Sequence, residues 1–263
     1  MLMQTQAYFK KSLARNILSG LELGEFTVYY QPKFDLTSRK IIGLEALSRW
    51  YASGVGWISP AEFIPVAEST GAIIPLGERV LVTACKQTKY WQENGYPELS
   101  VAVNLSSIQL EEKNIVTRVE DILSQTGLDP RYLELEVTES VLIKNSIWAL
   151  EVLKQFRKIG IKLAIDDFGT GYSTIGYLTT YPFDSLKLDQ IFAKTIHLTQ
   201  TQLVVRAMAD LARQLGLTTL LEGVEEQTEL VMARHLGCDQ VQGHAVSPPQ
   251  PAGEIVLAME NYS

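Results

Sequence analysis

Two hydrophobic periodicities alternate along most of the chain. Short apolar runs predict buried strands, and longer segments with apolar residues three or four positions apart predict amphipathic helices. The strands predicted beyond residue 99 are Ser100–Asn104, Leu133–Val137, Ile161–Asp166, Ser185–Leu188, Thr219–Glu222 and Asp239–Gln242. Helices are predicted between most of these strands, several of them ending at a glycine. Strands that alternate with helices in this way predict a mostly parallel sheet.

The beginning of the chain has a different pattern. Phe26–Phe34 and Ile41–Trp50 are predicted strands separated by a short turn, so we expect an antiparallel hairpin. Pro32 argues against a central ladder position at that point of the first strand. Apolar residues recur four positions apart over residues 8–23, from Phe9 onward, which predicts a helix before the hairpin.

The number of strands favours an α/β fold of the TIM-like (β/α)8 barrel type, because about eight strands are predicted in one chain. A doubly wound sheet is less favoured, since no glycine-rich dinucleotide motif follows the first strand. We expect residues 1–263 to form a single barrel domain with a lead-in helix over residues 1–24. We interpret this domain as one module of a longer protein.

The composition of the chain indicates which kinds of partner and which cellular compartment to expect. The net charge is −7, and no long run of lysine or arginine is present, which argues against a protein that binds duplex nucleic acid. Cys85 and Cys238 are the only cysteines and lie far apart, which is typical of a reducing compartment. No apolar segment is long enough to span a membrane, and the N-terminus lacks a signal-peptide core. We therefore expect a cytoplasmic protein.

The segment Lys162–Tyr172, KLAIDDFGTGY, carries the strongest chemical signal. Asp166 and Asp167 follow a buried apolar run, where two adjacent anions repel each other and lose hydration. A cation beside them stabilises such a pair. The alternative is an ordinary turn in which the two aspartates cap the next helix.

Polar residues end nearly every other predicted strand, where barrel enzymes place their chemistry. They are Glu45, Asn104, Glu136, Lys187, Glu222 and Gln242. Each has a simpler interpretation: Glu45 or Glu136 faces solvent, and Asn104 caps a helix. Lys187 has the alternative of pairing only with a nearby aspartate, Asp184 or Asp189. Taken together, however, they predict one polar site at the mouth of the barrel.

The candidate ligands are carboxylates and one amide, which favours Mg²⁺ or Mn²⁺ over zinc. The number of carboxylates suggests two ions, an arrangement that serves the displacement at a phosphodiester. Lys187 and Arg49 are the cations placed to meet a phosphate. His244 lies near the predicted mouth but has no partner at metal-ligand spacing.

Several strings occur in a characteristic order over about Val28–Pro251. They are YYQP, GLEALSRW, SPAEFIPVAE, VAVNLSSIQL, LELEVTES, AIDDFGTGYS, YPFDSLKLD, LEGVEE and GCDQVQG. This set resembles the EAL-domain phosphodiesterases of cyclic di-GMP, a bacterial second messenger. The resemblance implies a barrel with an antiparallel first strand, and hydrolysis of cyclic di-GMP to linear pGpG with Mg²⁺ or Mn²⁺.

The resemblance also assigns roles to residues. It implies that the metal ligands are Glu45, Asn104, Glu136, Asp166, Asp167 and Glu222. It implies that the catalytic and supporting residues are Lys187, Glu222, Glu139 and Glu225, with Lys187 orienting the attacking water and Glu139 holding the DDFGTGYS loop. It implies that the substrate-binding residues are Gln31, Leu47, Arg49 and Gln242.

The partners implied by the resemblance are a second copy of the chain, coupled to the loop near Phe168–Tyr177, and a fused sensor or GGDEF domain. The intact DDFGTGYS string favours an active enzyme. Two alternatives stay open: a module that binds cyclic di-GMP with little or no turnover, and a barrel enzyme that acts on another phosphodiester. Leu221, His244 and Pro248 depart from the residues common in the family.

Overall fold

A computed structural model describes residue 13 and residues 15–139, 146–169 and 175–262. Its strands are β1 (Phe26–Asp35), β2 (Ile41–Ala52), β3 (Gly56–Ile58), β4 (Ser100–Asn104), β5 (Leu133–Thr138), β6 (Lys162–Phe168), β7 (Ser185–Leu188), β8 (Thr218–Leu221), β9 (Gln240–Val241) and β10 (Gln250–Pro251). Its helices are α1 (15–23), α2 (Pro60–Thr70), α3 (Ile73–Glu93), α4 (Ser107–Leu110), α5 (Ile115–Thr126), α6 (Ser146–Ile159), α7 (Gly176–Thr180), α8 (Gln190–Lys194), α9 (Thr199–Leu215), α10 (Gln227–Leu236) and α11 (Ile255–Asn261).

The sheet closes on itself in the order β1-β2-β4-β5-β6-β7-β8-β9-β1. The pairs from β2 through β9 are parallel, whereas β1 is antiparallel to both β2 and β9. The short strands β3 and β10 extend the sheet beside β2 and β1. The prediction of a TIM-like (β/α)8 barrel with an antiparallel first strand is confirmed, as is the hairpin.

Pro32 lies inside β1, opposite Leu44 of β2, contrary to the expectation that it would avoid a central position. The other side of β1 explains this. Residues 29–30 pair with β10 and residues 34–35 pair with β9, so Pro32 lies between these two short ladders. A residue without a backbone N–H is tolerated where one side of the strand has no partner strand.

The main hydrophobic core lies between the barrel strands and the surrounding helices. Strand β5 shows the construction: Leu133, Leu135 and Val137 are buried in this core, whereas Glu134 and Glu136 have the opposite phase. Because successive side chains of a strand point to opposite faces, the two glutamates face the barrel interior. The strands thus position charged side chains inside a closed barrel.

Some boundaries differ from those predicted. Strand β2 continues to Ala52 because it pairs with β1 on one side and, at its end, with β3. Glu45 therefore lies in the middle of a strand and not at its end. The elements β3, β10, α4, α7 and α8 were not predicted, since each is too short to show a period. Phe9 of the predicted first helix lies outside the described residues.

The structure bears on two expectations, one about the cysteines and one about membrane-spanning segments. Cys85 and Cys238 are both free and buried. Among the helices that the structure describes, none combines the length and the apolar character that a membrane crossing needs.

Candidate active site

The ammonium group of Lys187 lies at the centre of a cluster of carboxylates inside the barrel. Its Nζ is 2.6 Å from Oε2 of Glu136, 2.7 Å from Oε1 of Glu222, 3.1 Å from Oδ1 of Asp166 and 3.6 Å from Oε2 of Glu45. Lys187 itself is 1% exposed. Strands β2, β5, β6 and β7 supply four of these residues, and Glu222 follows β8 directly. Five separated segments therefore meet at one point.

The simpler interpretations of these residues do not hold. Lys187 pairs with this cluster, whereas Asp184 pairs with Arg157 at 2.7 Å. Glu45 and Glu136 are buried and do not face solvent.

The capping interpretations fail as well. Asn104 donates from Nδ2 to Oε1 of Glu45 at 2.7 Å, and the N-cap of α4 is Ser106. Asp166 is a buried residue of β6, and the N-cap of α7, the next described helix, is Ile175.

The cluster contains more acid than its lysines neutralise. Burial raises the pKa of Glu136, but the ammonium groups of Lys187 and Lys33 outweigh burial and lower this pKa to about 2. For Glu222, burial dominates and raises the pKa to about 8, with Asp166 and Glu45 adding repulsion. Burial likewise raises the pKa of Glu45 and of Asp166. The two lysines thus supply too little positive charge to neutralise these crowded carboxylates.

Asp167 adds a further carboxylate at the opening of the barrel. Oxygen atoms of Asp166, Asp167 and Glu222 all lie within 4.8 Å of one another. The φ of Asp167 is 54°, a left-handed conformation that is uncommon for a residue other than glycine. Such strained residues cluster at functional sites, where the surrounding structure holds them. Burial and the neighbouring Asp189 raise the pKa of the Asp167 carboxyl.

The residues fit a divalent cation with oxygen ligands. Every candidate ligand offers a carboxylate or amide oxygen, as Mg²⁺ and Mn²⁺ prefer. In addition, Oε1 of Gln242 is buried and has no hydrogen-bond partner among the described residues. A buried acceptor without a partner is costly, so this atom is ready to accept from a group bound in the cleft.

An open cleft of about 430 Å³ leads to the cluster. Gln31, Leu47, Glu225, Gln242 and His244 line it together with Glu45, Asn104, Asp166 and Glu222. The Nε2 atom of Gln242 donates to Oε2 of Glu45 at 2.6 Å and to Oε1 of Gln31 at 3.1 Å. These bonds connect the cluster to the wall of the cleft. His244 lies at the mouth, as the sequence predicts.

Arg49 lies outside this carboxylate cluster. It is half-buried, and its Nη1 donates to the carbonyl of Ser48 at 2.9 Å. Its guanidinium carbon lies 5.5 Å from the centre of the Tyr29 ring, a cation–π distance. Leu47 and Arg49 both line a second cavity, of about 380 Å³, which also reaches Asn104 and Glu136. Arg49 is thus placed beside the cluster and not within it.

Glu139 is buried and follows β5 directly. Its predicted partner, the DDFGTGYS loop, continues into residues 170–174, which lie outside the described residues. The predicted role of Glu139 therefore stays a prediction, as does the coupling of the loop near Phe168–Tyr177 to a second copy.

Two further charged residues of this region were not predicted as site residues. Lys33 is buried on β1 and bonds to Glu134 and Glu136. Its spacing from Gln31 was a usable signal, because residues two apart on a strand share a face. Asp189, two positions after Lys187, lies near Asp167 and raises its pKa.

Comparison with known proteins places this geometry in context. The model of the EAL domain family matches residues 14–249. An uncharacterized protein of Sinorhizobium fredii, y4lL, is 43% identical over 93% of the chain and 29% of its own length. The cyclic di-GMP phosphodiesterase PdeR of Escherichia coli is 37% identical over 91% of the chain and 36% of its own length. The chain thus spans about a third of the length of these curated relatives.

A solved structure described as the PaMucR phosphodiesterase in complex with c-di-GMP is also similar. It superposes with a TM-score of 0.88 at 37% identity, and the match covers 93% of this chain and 99% of that one. The EAL enzyme Bd1971, in its form bound to cAMP and cyclic di-GMP, superposes with a TM-score of 0.92 at 29% identity. That match covers 97% of this chain and 70% of the other.

Proposed function

The chain belongs to the EAL domain family, and on that premise we propose that it hydrolyses cyclic di-GMP to linear pGpG as a metal-dependent phosphodiesterase. The observation that supports this most is the cluster around Lys187, in which four carboxylates from separate segments of the chain face one ammonium group. A cluster with this excess of acid disfavours an anionic nucleotide unless divalent cations are bound there.

We assign the ligands of a first ion to Glu45, Asn104, Glu136 and Asp166, and those of a second to Asp166, Asp167 and Glu222. When bound, Mg²⁺ or Mn²⁺ ions supply a Lewis acid and lower the pKa of a water molecule. The proximity of the oxygens of Asp166, Asp167 and Glu222 supports the second set. The bond between Asn104 and Glu45 holds two members of the first set together.

In the reaction, the water oxygen forms a bond to one phosphorus atom, and the bond from that phosphorus to the ribose 3′ oxygen breaks. A proton from the water ends on the 3′ oxygen, which leaves a linear product with a 5′ phosphate. Lys187 acts as a hydrogen-bond donor, since its ammonium group has no capacity to accept. We propose that it orients the attacking water and stabilises the negative charge that develops on the phosphate.

The wall of the cleft binds the nucleotide in this proposal. Gln31 and Gln242 offer amide groups beside the cluster, and Glu225 supports the site from the same wall. Leu47 and Arg49 lie two and four residues after Glu45 on β2, so the three side chains share one face of the strand. In this proposal Leu47 contacts a base and Arg49 contacts a phosphate. Arg49 suits this role because its planar guanidinium group binds phosphate in a bidentate manner.

The proposal extends to the assembly. Since the relatives are about three times longer than the match, we propose that residues 1–263 act as one module beside a sensor or GGDEF domain. We also propose a homodimer. Size-exclusion chromatography with light scattering tests the dimer, and a monomer with full activity at the assay concentration contradicts it.

The direct test is a hydrolysis assay with purified protein, cyclic di-GMP and a titration of Mg²⁺ or Mn²⁺, with products separated by chromatography. Appearance of pGpG that depends on the metal supports the proposal. Binding of cyclic di-GMP without turnover contradicts it and favours a sensor module. Faster cleavage of another phosphodiester in a substrate panel contradicts the assigned substrate.

A further inference from the structure

A second buried lysine, Lys33, lies one layer below Lys187 inside the barrel. It is 6% exposed, and its Nζ bonds to Oε1 of Glu136 at 2.6 Å and to Oε1 of Glu134. Lys33 does not line the cleft that leads to the carboxylate cluster. It therefore has no direct access to a molecule bound there.

The two lysines hold opposite oxygens of one carboxylate. Lys33 bonds to Oε1 of Glu136, and Lys187 bonds to Oε2 of the same group, each at 2.6 Å. A carboxylate fixed at both oxygens has its plane determined, so the remaining lone pairs point in set directions. Glu136 thus has an orientation that Lys187 alone does not determine.

Lys33 is itself held in position by Glu134 and, through Glu134, by Ser185. Glu134, two positions before Glu136 on β5, bonds to Lys33 through Oε1, and its Oε2 accepts from Oγ of Ser185 at 2.9 Å. Strands β1, β5 and β7 therefore fix the position of the Lys33 ammonium group. Burying one lysine between two glutamates is costly unless the geometry is good, so this arrangement is not explained by stability alone.

We propose that Lys33 is a positioning residue, which orients Glu136 for metal binding and is itself held by Glu134 and Ser185. This inference rests on the proposed function, because it assigns Glu136 to a metal site. Residues that orient metal ligands typically change metal affinity by about 10- to 100-fold when they are removed. An effect of that size on metal binding is the expected sign of a positioning role.

The test compares Lys33→Met, Glu134→Gln and the double variant Lys33→Met/Glu134→Gln with the unmodified chain. Lys33→Met alone leaves Glu134 without its cation and leaves Glu136 with Lys187 alone, so it lowers the melting temperature. The double variant removes one of those charges and regains part of the loss. Lys89→Met, which breaks a surface pair with Glu93, is the matched control and leaves Mn²⁺ affinity unchanged.

The primary measurement is Mn²⁺ binding by isothermal titration calorimetry, with no nucleotide present. We expect the double variant to bind Mn²⁺ at least about 10-fold more weakly than the unmodified chain, although its stability partly recovers. Glu134→Gln, which keeps the bond from Lys33 to Glu136, should bind Mn²⁺ within about threefold. With cyclic di-GMP, kcat should fall in the double variant while KM stays nearly constant.

Other outcomes overturn the inference. A double variant that binds Mn²⁺ within threefold of the unmodified chain shows that Lys33 only balances charge, and so does a rise in KM without a fall in kcat. Absence of Mn²⁺ binding in the unmodified chain also removes the inference. If the chain binds Mn²⁺ but releases no pGpG, the proposed function fails, and the calorimetry still decides the role of Lys33.

Discussion

The two faces of strands β5 and β7 differ in what they bury. On β5, Leu133 and Leu135 pack into the core between strands and helices, whereas Glu134 and Glu136 face the barrel interior. On β7, the buried neighbours of Lys187 are leucines that face outward. Both faces are shielded from water, yet one is apolar and the other is charged.

This difference separates what folds the protein from what gives it a chemical function. Apolar burial stabilises the fold at about 25 cal/mol per Å² of buried area. Buried charges cost free energy unless they are paired, and the interiors of comparable barrels are mostly filled by branched apolar residues. The acidic interior found here therefore points to a ligand, whereas the outer core accounts for stability.

The strongest challenge to this separation is Glu45→Ala. Glu45 contacts Asn104, Gln242 and Lys187, so its loss removes one proposed ligand and releases a second, Asn104, from its hydrogen bond. We expect Mn²⁺ binding and turnover to be lost together, by at least about 100-fold each. Folding stability should change little, because burial and neighbouring acids already raise the pKa of Glu45 and disfavour its charge.

Calorimetry with Mn²⁺ and the pGpG assay measure these two quantities, and urea denaturation measures stability. Glu151→Ala, which removes an exposed carboxylate, is the control. Full turnover in Glu45→Ala would show that the interior charge is not the functional site.

A substitution in the outer core should have the opposite effect to Glu45→Ala: a loss of stability without a loss of metal binding. Phe156 of α6 is 0% exposed, and Phe156→Ala should lower the free energy of unfolding by about 3–5 kcal/mol. Mn²⁺ affinity and kcat should remain within about twofold at temperatures where the variant is folded, because distant sites act nearly independently. Gln155→Ala, at the neighbouring exposed position, should change neither quantity. A variant with normal stability and weak metal binding would contradict the separation.

Lys187→Ala removes a side chain that lies in the barrel interior but is not one of the proposed metal ligands. Since it donates to the reacting groups in our proposal, kcat should fall by about 100-fold while KM for cyclic di-GMP changes little. Steady-state kinetics at saturating Mn²⁺ measure both values, with exposed Lys154 replaced by alanine as the control. An equal loss of nucleotide binding would indicate that Lys187 binds substrate in the ground state.

The same contrast explains how far the sequence alone could lead. The outer core could be predicted, because apolar periodicity reports directly on strands such as Ser100–Asn104 and on helices such as Thr199–Leu215. The charged interior was harder to predict, because a buried strand that carries charged residues has the same alternating sequence pattern as a half-exposed strand. The family strings identified Glu45 and Lys187, but Lys33 belongs to no metal or catalytic pattern. Its role depends on the distance between β1 and β5, which only the fold determines.

The smallest expected effect concerns Cys238, a buried thiol of the outer core. Burial, with Asp239 nearby, raises the pKa of Cys238 to about 12, well above its value in an unfolded chain. An acid whose pKa is raised by folding contributes stability below its unfolded pKa, and that contribution is lost as the pH rises toward the folded pKa. Between about pH 9 and pH 12, the thiol should therefore lower the free energy of unfolding by up to about 1.4 kcal/mol per pH unit.

Cys238→Ala isolates this contribution from the tyrosines and lysines that titrate over the same range. Urea denaturation at pH 8 and pH 11 should show a smaller loss of stability in the variant than in the unmodified chain. The proposed metal site lies elsewhere in the barrel, so Mn²⁺ affinity at pH 8 should be identical in the two proteins. If both lose the same stability, the thiol does not remain neutral in the folded core. If Mn²⁺ affinity changes as well, the outer core and the interior are coupled more closely than their separate compositions indicate.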